Sequence, residues 1–158
     1  MHGGNSYVPF SRQSVRNLCA RLGQESIAGD MAKTMGHFAN MQKRDPRFVV
    51  KIQMDEQKRV KSLLWCHGSG RANYSLFGDV ITFDTTYRTN LYNLPFGIFV
   101  GVNNHFQSTI FGGVFLTEET IEAFQWTFQT FSDIMDNKHP TTILTGKILF
   151  YRPGLFFV

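Results

Sequence analysis

Between Asp79 and Leu144 the chain alternates apolar runs with polar turns in an order that few folds accommodate. The runs cover residues 80–83, 96–102, 108–116 and 141–144, and a long amphipathic segment separates the last two. Short apolar runs bounded by turn residues are typical of strands, and an apolar residue every three to four positions is typical of a helix. The sequence therefore predicts strand, strand, strand, helix, strand.

This order also predicts how the strands are arranged. Short turns join the first three strands, so these should be antiparallel, and the helical crossover should make the fourth strand parallel to the first. The nearly continuous apolar run at 96–102 suggests a strand covered on both faces. The carboxyl ends of the first and fourth strands should then lie side by side, with Asp84 at one and Gly146 just past the other.

The crossover helix has a clear predicted start and a predicted buried stripe. Thr117 is the expected cap, and Glu118 and Glu119 would lie in the first turn, where a helix favours negative charge. Trp126 falls off the stripe, and we expect it to pack against a missing segment or a partner subunit. The stripe consists of Ile121, Phe124, Phe128, Phe131 and Met135.

Upstream, the pattern predicts a helical lead-in and a hairpin. Residues 11–22 form a possible short helix, and residues 30–44 form a second one, which Pro46 blocks from continuing. Residues 48–54 and 60–65 are predicted to form the two strands of a hairpin. Gly68-Ser69-Gly70 is predicted to interrupt the regular structure, and residues 71–76 to form a short helix. The second helix carries a core stripe of Met31, Met35, Phe38 and Met41.

Two carboxylates on neighbouring strand ends are the arrangement that holds a pair of Mg²⁺ ions about 4 Å apart for phosphodiester cleavage. Asp84 is the candidate first carboxylate. Asp79, five residues earlier on the same strand, should point to the opposite face and mark the strand entry. His67 and His105 fall in predicted turns without a partner at ligand spacing, so we expect surface histidines.

The residues from Phe77 to Asn90 (FGDVITFDTTYRTN), followed by NLPF at 93–96 and FVGVN at 99–103, resemble the Mutator-like element transposase domain. The similarity is closest to its domesticated plant descendants, the far-red-impaired-response-related proteins. It spans roughly residues 30–145. The resemblance implies a partial RNase H-like transposase domain of the α/β class, with a helical N-terminal lead-in and an N-terminal hairpin. It also implies that Asp84 is the first position of an Asp-Asp-Glu triad.

The chain departs from the family pattern at Gly146, where the second acidic residue is expected. Residues 146–158 form an apolar tail unlike the family, and no third acidic residue follows. The expectation is a truncated copy that is not an enzyme, with Asp84 a vestigial catalytic residue and remnant metal ligand. We divide it into a leader (1–29), a lead-in (30–76), a partial transposase domain (77–145) and the tail.

The resemblance and the charge distribution together suggest partners. Residues 1–61 carry 11 Lys/Arg against 5 Asp/Glu, and residues 62–158 carry 5 against 7. A basic front half favours an acidic partner such as nucleic acid, although a solvated helical face is the alternative. The resemblance implies a nuclear regulator of transcription, with DNA or related family members as partners. Arg88 is a candidate DNA-backbone contact, or else a structural residue.

Other classes are disfavoured. No stretch has the roughly 18 apolar residues of a membrane span, and no small-molecule substrate is expected. Cys19 and Cys66 should be reduced, half-buried thiols, because they are far apart and have no zinc-ligand spacing. Zinc is expected only in full-length relatives, through segments absent here, so no cofactor is retained. The alternatives are a Mg²⁺-dependent transposase or nuclease, if the true gene product is longer, and a decayed element without function.

Overall fold

The computed structural model describes residues 29–30, 32–86 and 94–146. Within these ranges the chain forms one mixed sheet of six strands and three helices. The described residues divide into two units between His37 and Phe38. The predicted helix at 11–22, Cys19, Met31, Tyr87, Arg88 and residues 147–158 lie outside the described ranges.

The elements follow one another closely along the chain. Residues 29–30 and 32–44 form helix α1, which agrees with the helix predicted at 30–44. The order from there is β1 (Val49–Met54), β2 (Val60–Cys66), α2 (Gly68–Phe77), β3 (Val80–Thr86), β4 (Phe96–Val102), β5 (Ser108–Leu116), α3 (Ile121–Ile134) and β6 (Thr142–Thr145).

The sheet has the strand order β1-β2-β5-β4-β3-β6. β3, β4 and β5 are antiparallel neighbours, and β6 is parallel to β3 after the α3 crossover, as the sequence predicts. β1 and β2 form the predicted hairpin. The hairpin also joins the same sheet, because β2 pairs antiparallel to β5 through Ser62–Trp65.

The core lies between one face of this sheet and the helices α2 and α3. Phe99 of β4 is fully buried and stacks on Phe131 of α3, with ring centroids 3.8 Å apart. Tyr74 of α2 makes edge contacts with Phe111 and Phe131. Aromatic pairs in these geometries contribute beyond the area they bury. On the opposite face, Phe38 packs against Trp65 at 5.5 Å.

The start of α2 differs from the prediction. Gly68-Ser69-Gly70 was expected to break the chain, yet it forms the first turn of the helix. A Cβ on Gly68 would lie 2.5 Å from Oδ1 of Asp45, and one on Gly70 would lie 2.7 Å from the carbonyl oxygen of Phe111. The glycines are therefore required by close packing of the helix start against its neighbours, which a local pattern does not reveal.

The start of α3 also differs. The cap is Thr120, whose hydroxyl accepts a hydrogen bond from the Ala123 amide, and not Thr117. Glu118 and Glu119 consequently precede the helix, and Glu122 is the acidic residue in its first turn. Ile121 is 51% exposed, so it is not part of the buried stripe.

Three burial predictions need correction. Trp126, expected to pack against a missing segment or a partner subunit, is partly buried and packs against the core. Cys66 is fully buried rather than half-buried. β4 is buried on the side of Gly97, Phe99 and Gly101, but its other face is only partly covered and Val102 is exposed. Among the described helices, none has the length and apolarity needed to cross a membrane.

Candidate functional site

Asp84 lies near the carboxyl end of β3, on the face of the sheet that points away from α3. The strand alternates exposed and buried residues, so Ile81 and Phe83 face the core and Asp84 faces solvent. Its Oδ1 accepts a hydrogen bond from the Thr85 amide at 2.9 Å. The side chain is thus an exposed carboxylate, but β3 continues for two residues beyond the end that the sequence predicts, because Thr85 and Thr86 also pair with β4.

Gly146 is brought beside Asp84 by the parallel pairing of β3 and β6. Phe83 is the partner of Thr145 in this pairing, so the next residues, Asp84 and Gly146, follow at adjacent strand ends. A Cβ built on Gly146 would lie 3.2 Å from Oδ1 and 3.7 Å from Cγ of Asp84. A side chain at position 146 would therefore begin in direct contact with the Asp84 carboxylate.

Glu119 reaches the same edge of the sheet, which the sequence analysis did not anticipate. The hydroxyl of Thr85 donates a hydrogen bond of 2.5 Å to Oε1 of Glu119. Because Thr85 faces the α3 side, this contact lies on the face opposite Asp84. The two residues are 34 positions apart, and only the path of the β5–α3 connection brings them together, so no local signal marks the pair.

The donor set at this edge does not fit a pair of Mg²⁺ ions. Such a site requires several oxygen ligands that converge on one point. Asp84 offers one carboxylate, Gly146 offers no side-chain ligand, and the Glu119 carboxylate lies toward the other face. Throughout residues 29–30, 32–86 and 94–146, no group of three His, Cys, Asp or Glu side chains is placed to hold a metal.

The other predicted residues are placed apart from Asp84. Asp79 directly precedes β3, its carbonyl oxygen accepts hydrogen bonds from the Thr141 and Thr142 amides, and its carboxylate pairs with Lys138 at 3.3 Å. It therefore anchors the start of β6. His105 lies in the β4–β5 turn, and His67 precedes α2 and packs edge-on against Phe48.

The comparisons with known proteins identify this arrangement. Residues 80–148 match the model of the MULE transposase domain, so β3 through β6 with Asp84 form a transposase-derived α/β domain. The chain is 34% identical over 99% of its length to Protein FAR1-RELATED SEQUENCE 5 and 36% identical over 87% to Putative protein FAR1-RELATED SEQUENCE 10. It is 34% identical over 89% to Protein FAR-RED IMPAIRED RESPONSE 1; all three are from Arabidopsis thaliana.

The chain belongs to the far-red-impaired-response-related family of Mutator-like element derivatives. The similarity reaches beyond residues 30–145, where the sequence analysis placed it. The chain spans about a fifth of the length of these relatives, from 19% to 22% of each. No solved structure matches it.

Proposed function

We propose that this chain is part of a transposase-derived nuclear protein that regulates transcription and does not cleave DNA. The main observation in favour of an inactive protein is the position of Gly146. It lies next to Asp84, where the resemblance places the second acidic residue of the triad, and it contributes no ligand. Without a second carboxylate there, the two-metal mechanism lacks the bridge that positions its ions.

The fold supports a descent from an RNase H-like nuclease. β5, β4 and β3 are consecutive antiparallel strands, and β6 extends them in parallel after a helical crossover. This is the order that the resemblance implies for the RNase H-like transposase core. A domain that keeps this scaffold but lacks the ligand set is suited to binding rather than to chemistry.

The regulatory role is supported by the family. Its relative FAR-RED IMPAIRED RESPONSE 1 is named for a far-red response rather than for transposition. We propose that this chain likewise acts in the nucleus and affects transcription. Its partners in this proposal are DNA or related family members. The proposal includes no metal bound at Asp84.

A nicking assay tests the catalytic part. Supercoiled plasmid is incubated with the chain and Mg²⁺ or Mn²⁺, with Asp84→Asn as the matched control. We expect no difference in nicking between the two proteins. Nicking that requires both the divalent cation and Asp84 would overturn the proposal and favour a transposase or nuclease.

A reporter assay tests the regulatory part. The chain is fused to an unrelated DNA-binding domain in plant protoplasts that carry the matching reporter gene, and a fluorescent fusion reports its location. We expect nuclear fluorescence and a change in reporter expression that Asp84→Asn leaves intact. A stable fusion that stays outside the nucleus, or leaves the reporter unchanged, would favour a decayed element.

A further inference from the structure

A concentration of positive charge lies at the β1 edge of the sheet, far along the sheet from Asp84. Residues 43–61 contain seven Lys/Arg and three Asp/Glu, a net charge of +4, whereas residues 62–158 have a net charge of −2. Among the described residues, β1 is the terminal strand of the sheet, and none of these residues forms a further strand beside it. We call five cations the basic edge: Lys43, Arg44, Lys51, Lys58 and Lys61.

Two of the three acidic residues in this segment are already engaged by the protein. Asp45 accepts hydrogen bonds from the amides of Gly68 at 2.7 Å and Arg47 at 3.0 Å. Asp55 accepts from the amide of Arg59 at 2.8 Å and from its Nε at 2.7 Å. The carboxylates of Asp45 and Asp55 are therefore occupied by backbone amides and by Arg59. They leave the positive charge of the basic edge largely uncompensated.

The cations of the basic edge are available to a partner. Within the described residues, the salt bridges use Lys33, Arg59, Arg71 and Lys138, and none uses a member of the basic edge. Four of the five residues are exposed. The fifth, Lys61, is half-buried. It has no partner in β1, because the β1–β2 pairing shifts by one residue at this point, and such a β-bulge changes the direction of the side chain.

The basic edge follows the end of the sheet and includes both of its faces. Lys51 pairs with Leu64 and so points to the side of the core, whereas α1 packs against Trp65 on the other side. Lys43 and Arg44 end α1 ahead of β1, Lys51 lies within β1, and Lys58 lies in the turn beyond it. At about 3.3 Å per residue, the six residues of β1 alone extend roughly 20 Å. Duplex DNA presents a phosphate charge about every 1.7 Å of its axis, so a duplex lying along an edge of this length passes several phosphates over it.

We infer that the basic edge binds the phosphate backbone of duplex DNA without reading its sequence. The inference rests on the proposed function, which places the protein at DNA. Interfaces with proteins centre on aromatic and apolar anchors and are depleted of charge. Here the neighbouring aromatic residues, Phe48 and Trp65, pack inward against Phe38. The exposed large apolar side chains of β1 are Ile52 and Met54, neither of them aromatic, and the charged side chains around them are mainly Lys and Arg. Such groups position a protein on DNA through phosphate contacts.

The salt dependence of binding measures these contacts. The full chain is titrated into a fluorescent duplex of about 24 base pairs of arbitrary sequence, and anisotropy is recorded at several salt concentrations. Five phosphate contacts predict a slope of log K against log salt of about −4.5. A fourfold rise in salt then weakens binding by about 500-fold.

Two matched double variants locate the contacts. Lys51→Gln/Lys58→Gln removes two cations from the basic edge and should reduce the slope to about −2.7. Lys33→Gln/Lys138→Gln removes the same charge elsewhere and should leave the slope near −4.5. Equal effects of the two pairs would mean that total charge alone attracts DNA, and the proposal would be wrong.

Two further outcomes oppose the inference. If polyglutamate of matched charge binds as tightly as the duplex and shows the same loss in Lys51→Gln/Lys58→Gln, the basic edge receives an acidic protein. If that variant self-associates but binds DNA like the parent, its lysines only prevent pairing of the β1 edge with another chain. Neither outcome affects the reporter assay with a foreign DNA-binding domain, so failure here is separate from failure of the proposed function.

Discussion

Gly146 and Asp84 lie side by side at the ends of the two parallel strands, with only 3.2 Å between Oδ1 of Asp84 and the place where a Cβ of residue 146 would be. The pairing of Phe83 with Thr145 determines this proximity. The backbone thus places position 146 where a side chain would meet the Asp84 carboxylate, and glycine supplies none.

A carboxylate added at position 146 should create a cation site together with Asp84. In Gly146→Asp the two carboxylates repel each other, so we expect a melting temperature about 1–3 °C below that of the parent without divalent cation. Mn²⁺ should reverse the loss, because a cation bound to the folded state stabilises it. Thermal unfolding followed by circular dichroism, with and without Mn²⁺, measures both effects.

Two variants serve as controls for this result. Gly146→Asn has nearly the same size without the charge, and Asp84→Asn/Gly146→Asp retains only one carboxylate. Neither should respond to Mn²⁺ as Gly146→Asp does. A similar Mn²⁺ shift in Gly146→Asn would show that the stabilisation does not come from paired carboxylates.

The stability of the fold should depend on pH through Asp45. His67, the cap position of α2, makes no side-chain capping bond, and the Asp45 carboxylate binds the Gly68 amide instead. This hydrogen bond holds the pKa of Asp45 below its usual value of 3.8. A lowered pKa in the folded state stabilises the protein above the unfolded value, and this contribution disappears as pH falls through the folded pKa.

Asp45→Ala should therefore be less stable than the parent at pH 7, and the difference should shrink below about pH 4. Urea denaturation at a series of pH values measures it. Asp55, whose pKa is also lowered through its bonds with Arg59, titrates in both proteins and so cancels in the difference. A difference that stays constant down to pH 2 would show that the charge of Asp45 is not involved.

Gly101 should be intolerant of any side chain. A Cβ at this position would lie 2.5 Å from two ring atoms of the buried Phe111. Gly101→Ala should therefore cost about 1–3 kcal/mol in the free energy of unfolding, as overpacking of a core does. Gly36→Ala is the matched control, because nothing lies within 4 Å of its Cβ and alanine favours a helix by about 1 kcal/mol. Urea denaturation should give opposite signs for the two variants.

Cys66 should be unreactive until the protein unfolds. Burial raises the pKa of its thiol from 9.0 to about 12. Because the thiolate is the reactive form, this change alone lowers the reactive fraction roughly 1000-fold at neutral pH. Alkylation of a Cys19→Ser variant by iodoacetamide, followed by mass spectrometry, should be negligible in buffer and complete in urea. Rapid alkylation in buffer would contradict the buried position of Cys66.

Elements with a strong local pattern were predicted closely. The apolar alternation around β3 and the run of β5 located these strands, and the predicted crossover placed β6 parallel to β3. Boundaries that depend on neighbours were less accurate. Thr120 rather than Thr117 caps α3, since the connection from β5 first carries Glu119 to Thr85.

The sequence by itself determined the order of strands and helices, the parallel return of β6, the position of Asp84 at a strand end and the glycine that follows β6. These follow from the period of apolar residues and from chain connectivity, which are local properties. Only the tertiary structure decided that β2 pairs with β5, that Asp45 caps α2 across 23 residues and that Lys51 lies on the terminal strand of the sheet. Those relationships join residues distant along the chain, and their free energy arises only once the core has brought them together.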